Sequence, residues 1–284
     1  MSRVAITGAG GQLGRQLVDA FQRAGHEVRG LTHAELDITD AAGADRLRRW
    51  RPEVIVNSAA WTDVDGCARD PDRAMRVNAE AAGLVAELAA SAGAHVVQVS
   101  TNEVFDGSAD RPYRPDDDPS PINAYGRSKL AGERAVATAT PNHLVVRTAW
   151  LFGPGGDNFV TKILAAAGRM RDAGEPLRVV EDELGNPTWT PDLATAIVGL
   201  IDADRRGTLH AAGSPAISRL GWARVAVDAA GVDVRIEPVS SASFERASTP
   251  PLRAVLDPSP GVPDMAWEPV TRAYAAQLAA EGRG

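Results

Sequence analysis

The sequence predicts an α/β fold in which a doubly wound parallel sheet carries a smaller α/β cap. Three observations point there. Apolar runs alternate with amphipathic segments as far as residue 211, a glycine-rich turn follows the first run, and the pattern loses its regularity after Gly213. Strand, helix, strand repetition of this kind means a parallel sheet covered on both faces.

Taken in order, Val4-Ala5-Ile6 opens the series as a strand, followed by a helix over 13–24, a strand over 28–31, a helix over 41–50 and a strand over 54–56. A helix over 71–92 and a strand over 95–99 come next. The stretch with Pro112, Pro115, Pro119 and Pro121 holds too many breakers for a helix, so the next helix begins near Tyr125 and runs to 139. Strands over 144–147, 177–180 and 208–211 alternate with helices over 159–171 and 192–203. The last third carries a helix over 220–230, a short strand over 234–236, a Ser/Pro-rich stretch over 240–263 and a helix over 270–280. The expected division is a nucleotide-binding domain over 1–148 and a substrate cap over 149–284, with 177–211 returning to the main sheet. Open α/β sheets bind ligands at the carboxyl ends of their strands, so the cap should close over that edge.

Composition narrows the function classes. With 284 residues, 44% of them apolar, the chain can bury a large core. The net charge of −7 comes without any basic run, which argues against nucleic acid and against an anionic membrane surface. Cys67 is the only cysteine, so neither an internal disulfide nor a cysteine-cluster metal site is expected, and no metal ligands are assigned. No leader and no bilayer-length apolar stretch are seen, which gives a cytoplasmic expectation.

Thr7-Gly8-Ala9-Gly10-Gly11-Gln12-Leu13-Gly14-Arg15 lies between the first strand and the first helix. There a diphosphate can meet backbone N–H groups and the positive end of the helix dipole. Gly8, Gly11 and Gly14 permit the turn, the close approach and the helix packing, as in a Rossmann-type nucleotide site. Further on, Tyr125 and Lys129 stand four apart at the start of a helix and so share a face. A neighbouring ammonium should favour the phenolate and lower the tyrosine pKa toward neutrality, which suits general acid chemistry at a carbonyl. Thr101 follows the fourth strand, where its hydroxyl either assists that chemistry or caps the strand end.

The Gly-x-x-Gly-x-x-Gly spacing, with Thr101, Tyr125 and Lys129, resembles the short-chain dehydrogenase/reductase family in its extended, nucleotide-sugar branch. The resemblance implies that Asp37-Ile38 meets adenine, that Ala59 and Ala60 lie beside the nicotinamide, and that Asn78 belongs to a proton relay. Asp37 also reads as a helix or turn cap, and Asn78 as a surface amide. Leu31-Thr32-His33 lacks an acidic residue for the adenosine ribose, and Arg15 and His33 are placed to face a 2′-phosphate, so NADPH is expected ahead of NADH.

The runs Val54 to Asp65, Arg147-Thr148-Ala149-Trp150-Leu151-Phe152-Gly153, Asn158-Phe159 and Gly185-Asn186-Pro187-Thr188-Trp189 are similar to the dTDP-4-dehydrorhamnose reductase family. That similarity implies reduction of the 4-keto group of a nucleotide-linked 6-deoxysugar, with Thr62, Val64, Asp65, Asn102, Glu103, Trp150 and Asn158 toward the substrate. Asn102 and Glu103 stand where that family carries Asp-Tyr. The alternatives are another 4-keto-deoxysugar reductase, a sugar-nucleotide 4,6-dehydratase, and a non-catalytic subunit resembling the regulatory subunit of methionine adenosyltransferase. A homodimer is a further expectation.

Overall fold

In the computed structural model, which describes residues 1–40 and 47–282, six parallel strands form the central sheet. They are β1 (Arg3–Thr7), β2 (Glu27–Leu31), β3 (Val54–Asn57), β4 (His95–Thr101), β5 (His143–Thr148) and β10 (Gly207–His210), in the spatial order β10-β5-β4-β3-β1-β2. The chain pairs β2 to one side of β1 and β3 to the other. A crevice opens at such a reversal, at the strands' carboxyl ends. The register there brings Thr7 opposite Asn57 and Thr101 opposite Thr148.

Helices cover both faces. On one, Leu13, Leu17 and Phe21 of helix Gln12–Arg23 pack with Leu193 and Ile197 of helix Thr190–Asp202 against Val4, Ile6 and Val56. On the other, Val85, Ala86 and Ala89 of helix Ala81–Ala92 meet Ala5, Ile55, Val96 and Val136. Burying an aliphatic side chain contributes about 1.5–3 kcal/mol, so these two layers supply most of the drive toward the sheet.

The helix expected over 71–92 is interrupted. Pro71–Met75 is α-helical, Arg76–Glu80 is a π-helical turn, and Ala81–Ala92 resumes the α form. Wide π turns mark places where a helix yields local regularity to a particular contact, and here Asn78 and Ala79 are buried. A short helix, Val64–Arg69, capped by the Asp63 carboxylate on Gly66 N–H, was not expected. The helix expected over 41–50 lies partly outside the described residues; 47–50 are helical.

The segment 177–211 does not return to the central sheet as a unit. Its helix and β10 do, but β7 (Leu177–Val180) pairs with β12 (Ile236–Val239) in the capping region. β12 itself begins two residues beyond the place expected for that strand's start. Around this pair a second core forms from Phe152, Leu164, Leu177, Trp222, Trp267 and Tyr274. β6 (Leu151–Phe152) pairs with β9 (Thr188–Trp189), and β8 (Leu184–Gly185) with β11 (Ile217–Ser218).

Candidate active site

Geometry at the first turn makes a backbone cradle. Gly8 has φ +70°, and a Cβ there would stand 2.7 Å from the Ala59 nitrogen, so only glycine lets the two loops close. Gly14 meets the Gly8 carbonyl with no room for a side chain. Helix Gln12–Arg23 starts without a side-chain cap and without an acid in its first turn. Its first N–H groups therefore still offer donors, and its dipole is unopposed, which fits a dinucleotide diphosphate. Gln12 donates from Nε2 to Gly153 O at 2.6 Å, tying this loop to the cap, while Leu13 is core.

Arg15 and His33 are both exposed at this end, Arg15 donating from Nε to Gly10 O at 3.0 Å. Asp37 is committed to a turn: Oδ1 accepts from Thr39 N–H and Thr39 Oγ1 at 2.9 and 2.7 Å, bonds that hold its carboxyl below the usual range. Ile38 is buried in the core beside Leu36 and Leu47. The turn-capping reading of Asp37 is therefore the one its side chain displays. Asn78 is neither free nor on the surface. Its Oδ1 accepts from Trp61 N–H at 2.8 Å and its Nδ2 donates to Trp61 O and Ser128 Oγ, each at 3.0 Å. It clamps the segment holding Ala59 and Ala60 to the helix of Tyr125.

Helix Ala124–Ala139 begins with Asn123, whose Oδ1 accepts from Gly126 N–H at 2.7 Å. Gly126 rests on the Glu103 carbonyl and Gly132 on the Asn78 carbonyl, both too close for any side chain. This glycine-mediated approach presses Tyr125 onto the carboxyl end of β4. Its ring is buried beside Trp61, Val64 and Cys67, with the Thr101 hydroxyl in hydrogen-bonding reach of the phenol. Lys129 is also buried and donates from Nζ to Val99 O at 2.8 Å.

One electrostatic expectation is overturned. The Tyr125 phenol is pushed up, not down, because burial and the Glu103 charge outweigh the Thr101 hydrogen bond. Lys129 is not among the groups that shift it. Burial instead lowers the lysine to about 8, with Glu133 opposing. Glu133 is held by Arg147 at 2.8 Å in a buried ion pair and takes a short hydrogen bond from Ser100 Oγ.

Toward the cap, a cavity of about 670 Å³ is lined by Trp150, Asn158, Phe159, Lys162, Arg219 and Arg246 among others. A second, of about 500 Å³, is lined by Thr62, Val64, Asp65, Glu103, Arg246 and Ser248 among others. Thr62, Lys162, Glu183, Arg219 and Arg246 border both, so the two form one cleft. Trp150 has φ +43° and stacks on Trp222, and the Arg219 guanidinium lies 3.5 Å from its ring centroid. Glu183, buried, accepts from Arg246 at 2.9 Å and Arg219 at 3.4 Å. Burial lowers Arg219 to about 10, with the Glu183 charge opposing.

Of the residues expected to face substrate, Thr62, Val64, Asp65, Glu103 and Trp150 do line the cleft. Asn158 borders it, but its amide is consumed in structure. Oδ1 caps helix Phe159–Ala173 and Nδ2 donates to Gly153 O at 3.0 Å and Gly156 O at 3.1 Å. Asn102 is buried behind the cleft, donating to Ala254 O at 2.9 Å. Sequence reading missed Lys162, Glu183, Arg219, Trp222 and Arg246. They come from four separate elements, and no motif joins them.

Residues 2–277 match the model of the RmlD substrate binding domain family. A dTDP-4-dehydrorhamnose reductase of Mycobacterium tuberculosis is 44% identical over 252 residues, covering 86% of this chain and 81% of that protein. The spore coat polysaccharide biosynthesis protein SpsK of Bacillus subtilis is 34% identical, covering 96% and 97% of the two chains. Among solved structures, a dTDP-4-dehydrorhamnose reductase from Clostridium acetobutylicum superposes with TM-score 0.92 at 34% identity, over 97% of this chain and 99% of that one. One from Bacillus anthracis, in complex with NADP, gives 0.90 at 33%, with coverage of 97% and 99%.

Proposed function

We propose, from the premise that this chain belongs to the RmlD substrate binding domain family, that it is an NADPH-dependent oxidoreductase reducing dTDP-4-dehydrorhamnose to dTDP-L-rhamnose. The observation that supports the chemistry is the buried Tyr125 phenol, set against Thr101 at the end of β4 and packed beside Val64, which lines the cleft. Gly8, Gly11 and Gly14 with the first turn of helix Gln12–Arg23 would hold the diphosphate of the cofactor, while Arg15 and His33 lie at the adenosine end. When bound, the nicotinamide supplies the hydride that reaches the ketone carbon.

This chain's own part is the proton. A phenol whose pKa is raised stays protonated near neutrality, so Tyr125 enters the reaction as an acid and gives its proton to the ketone oxygen. While that proton moves, the Thr101 hydroxyl, which donates to Asn102 Oδ1 at 3.3 Å in this structure, would turn to donate to the oxygen on which charge develops. Lys129, with a pKa of about 8, remains largely charged at neutral pH and spends one of its donors on Val99 O. That bond orients it and leaves its other N–H donors for the cofactor's ribose, the role the family resemblance implies. Asn78 acts on the reaction only through Trp61 and Ser128, as a positioning residue.

At the other end of the cleft, Lys162, Arg219 and Arg246 suit the diphosphate of a sugar nucleotide, and the Trp150, Phe159 and Trp222 faces suit its flat or apolar parts. A cytoplasmic location is part of this reading, and among the described residues no helix is long and apolar enough to cross a membrane; a homodimer is carried by the resemblance alone and is tested by light scattering. The activity is tested by following NADPH absorbance after adding dTDP-4-dehydrorhamnose. Oxidation with formation of dTDP-L-rhamnose supports the reading, and no absorbance change overturns it.

A further inference from the structure

Glu103 is fixed from several directions yet leaves one carboxylate oxygen uncommitted. Its backbone N–H donates to Thr101 Oγ1 at 3.2 Å, and its carbonyl is the surface on which Gly126 sits. It is therefore locked between the hydroxyl of Thr101 and the helix that carries Tyr125. Of its side chain, Oε2 accepts from Asn123 Nδ2 at 2.7 Å, the same Asn123 that caps the helix of Tyr125. Among the described residues no lysine or arginine forms an ion pair with it, since Arg219 and Arg246 are both held by Glu183. Its side chain borders the cleft.

A second observation lies across the same cavity. The Ser248 hydroxyl is buried and has no hydrogen-bond partner, although its backbone N–H is held by Asp65 Oδ1 at 2.9 Å. Buried hydroxyls are normally satisfied, and an unpartnered one on a residue that lines a cavity is a donor a bound ligand can use. An acceptor carboxylate and an unsatisfied hydroxyl on the lining of one cavity suit a group that both donates and accepts, which is an alcohol.

We infer that Glu103 and Ser248 recognise the 3-hydroxyl of the keto sugar and make it a requirement for turnover. This rests on the reading of the protein as a 4-keto-sugar reductase. Tyr125 addresses the C4 oxygen, and Glu103 is held beside it, its N–H on Thr101 Oγ1 and its carbonyl against Gly126, the residue after Tyr125. The ring carbons next to C4 are C3 and C5, and in a 6-deoxysugar C5 carries a methyl group. Only C3 offers a hydroxyl beside the reacting carbonyl. It donates to Glu103 Oε1 and accepts from Ser248 Oγ, and an analogue lacking it leaves those two oxygens unmatched.

The test compares kcat/KM for dTDP-4-dehydrorhamnose and its 3-deoxy analogue, in the wild-type enzyme, Glu103→Ala and Ser248→Ala. The wild type should prefer the 3-hydroxy sugar by about 10²-fold or more, the scale expected where a site hydrogen-bonds a substrate hydroxyl. Glu103→Ala should cut that ratio by at least about 10-fold, and Ser248→Ala by a smaller factor, with NADPH affinity as in the wild type. Equal use of both sugars by the wild type overturns the inference while leaving the reductase reading intact. An equal loss on both sugars in Glu103→Ala, leaving the ratio unmoved, also overturns it and makes the residue merely structural. If the wild type reduces neither sugar, the reductase reading fails first and takes this inference with it.

Discussion

Replacing Gly126 by alanine sets two effects of opposite sign against each other. In an exposed helix the change should stabilise, because glycine costs about 0.5–1 kcal/mol relative to alanine. Here the new methyl group would run into the Glu103 carbonyl oxygen, and would also sit 2.9 Å from the Glu103 carbonyl carbon and 3.0 Å from Pro121 Cβ. Two of those atoms are backbone and cannot rotate aside, so the helix start must move by roughly 1 Å, a displacement that costs about 10²-fold in a positioned reaction. Overpacking of this kind costs about 1–3 kcal/mol and outweighs the propensity gain. Gly126→Ala should therefore melt earlier than the wild type and lose about 10²-fold in kcat, because Tyr125 is the next residue along. The assay is steady-state NADPH oxidation beside a denaturant titration. A variant that is more stable and retains full kcat would refute the claim that this glycine sets the tyrosine's position.

Gly185 plays the matching part under Trp150, since a Cβ there would overlap the indole, coming within 2.7 Å of its Cζ2. Gly185→Ala should displace the ring and raise the sugar-nucleotide KM by about 10-fold, with NADPH affinity retained; an unchanged KM removes Trp150 from substrate binding. His210 supplies a pH prediction. It is fully buried, its Nδ1 lies 3.1 Å from Tyr113 O, its Nε2 has no partner, and burial with the Arg147 charge lowers it to about 4. Because the unfolded histidine binds a proton near its ordinary value of 6.5 and the folded one does not until about 4, stability is full above 6.5 and falls as pH drops through that window. His210→Gln should flatten the decline measured by urea titration, and an identical decline would exclude this residue as its source.

Much of the nucleotide half was legible because its signals are local. A glycine turn between strand and helix, and a tyrosine and lysine one turn apart, declare themselves within a few residues, and the folded chain sets them at the carboxyl ends of β1 and β4, on either side of β3. The cap was less legible for a physical reason. Arg219, Arg246, Glu183 and Lys162 are brought together by the β8–β11 pairing and by a charge network spanning 63 residues, neither of which leaves a periodic trace. The direction of the Tyr125 pKa was misjudged because spacing reveals a neighbouring amine but not the depth of burial, and burial decides. Asn158 and Asn102 were placed on the substrate because polar residues in a motif invite that reading; their amides serve a helix cap and the Ala254 carbonyl. The π-helical turn at Arg76–Glu80 was invisible for the same reason as Asn78's clamp, since both depend on a partner segment distant in sequence.

The claim on which all of this rests is that the Tyr125 phenol delivers the proton in a ketone reduction, and single-turnover reduction by Tyr125→Phe tests it most directly. With NADPH and dTDP-4-dehydrorhamnose saturating, the variant should bind cofactor as the wild type does and transfer hydride slower by about 10²-fold or more. Hydride transfer at the wild-type rate would assign the proton to another group and undo the mechanism.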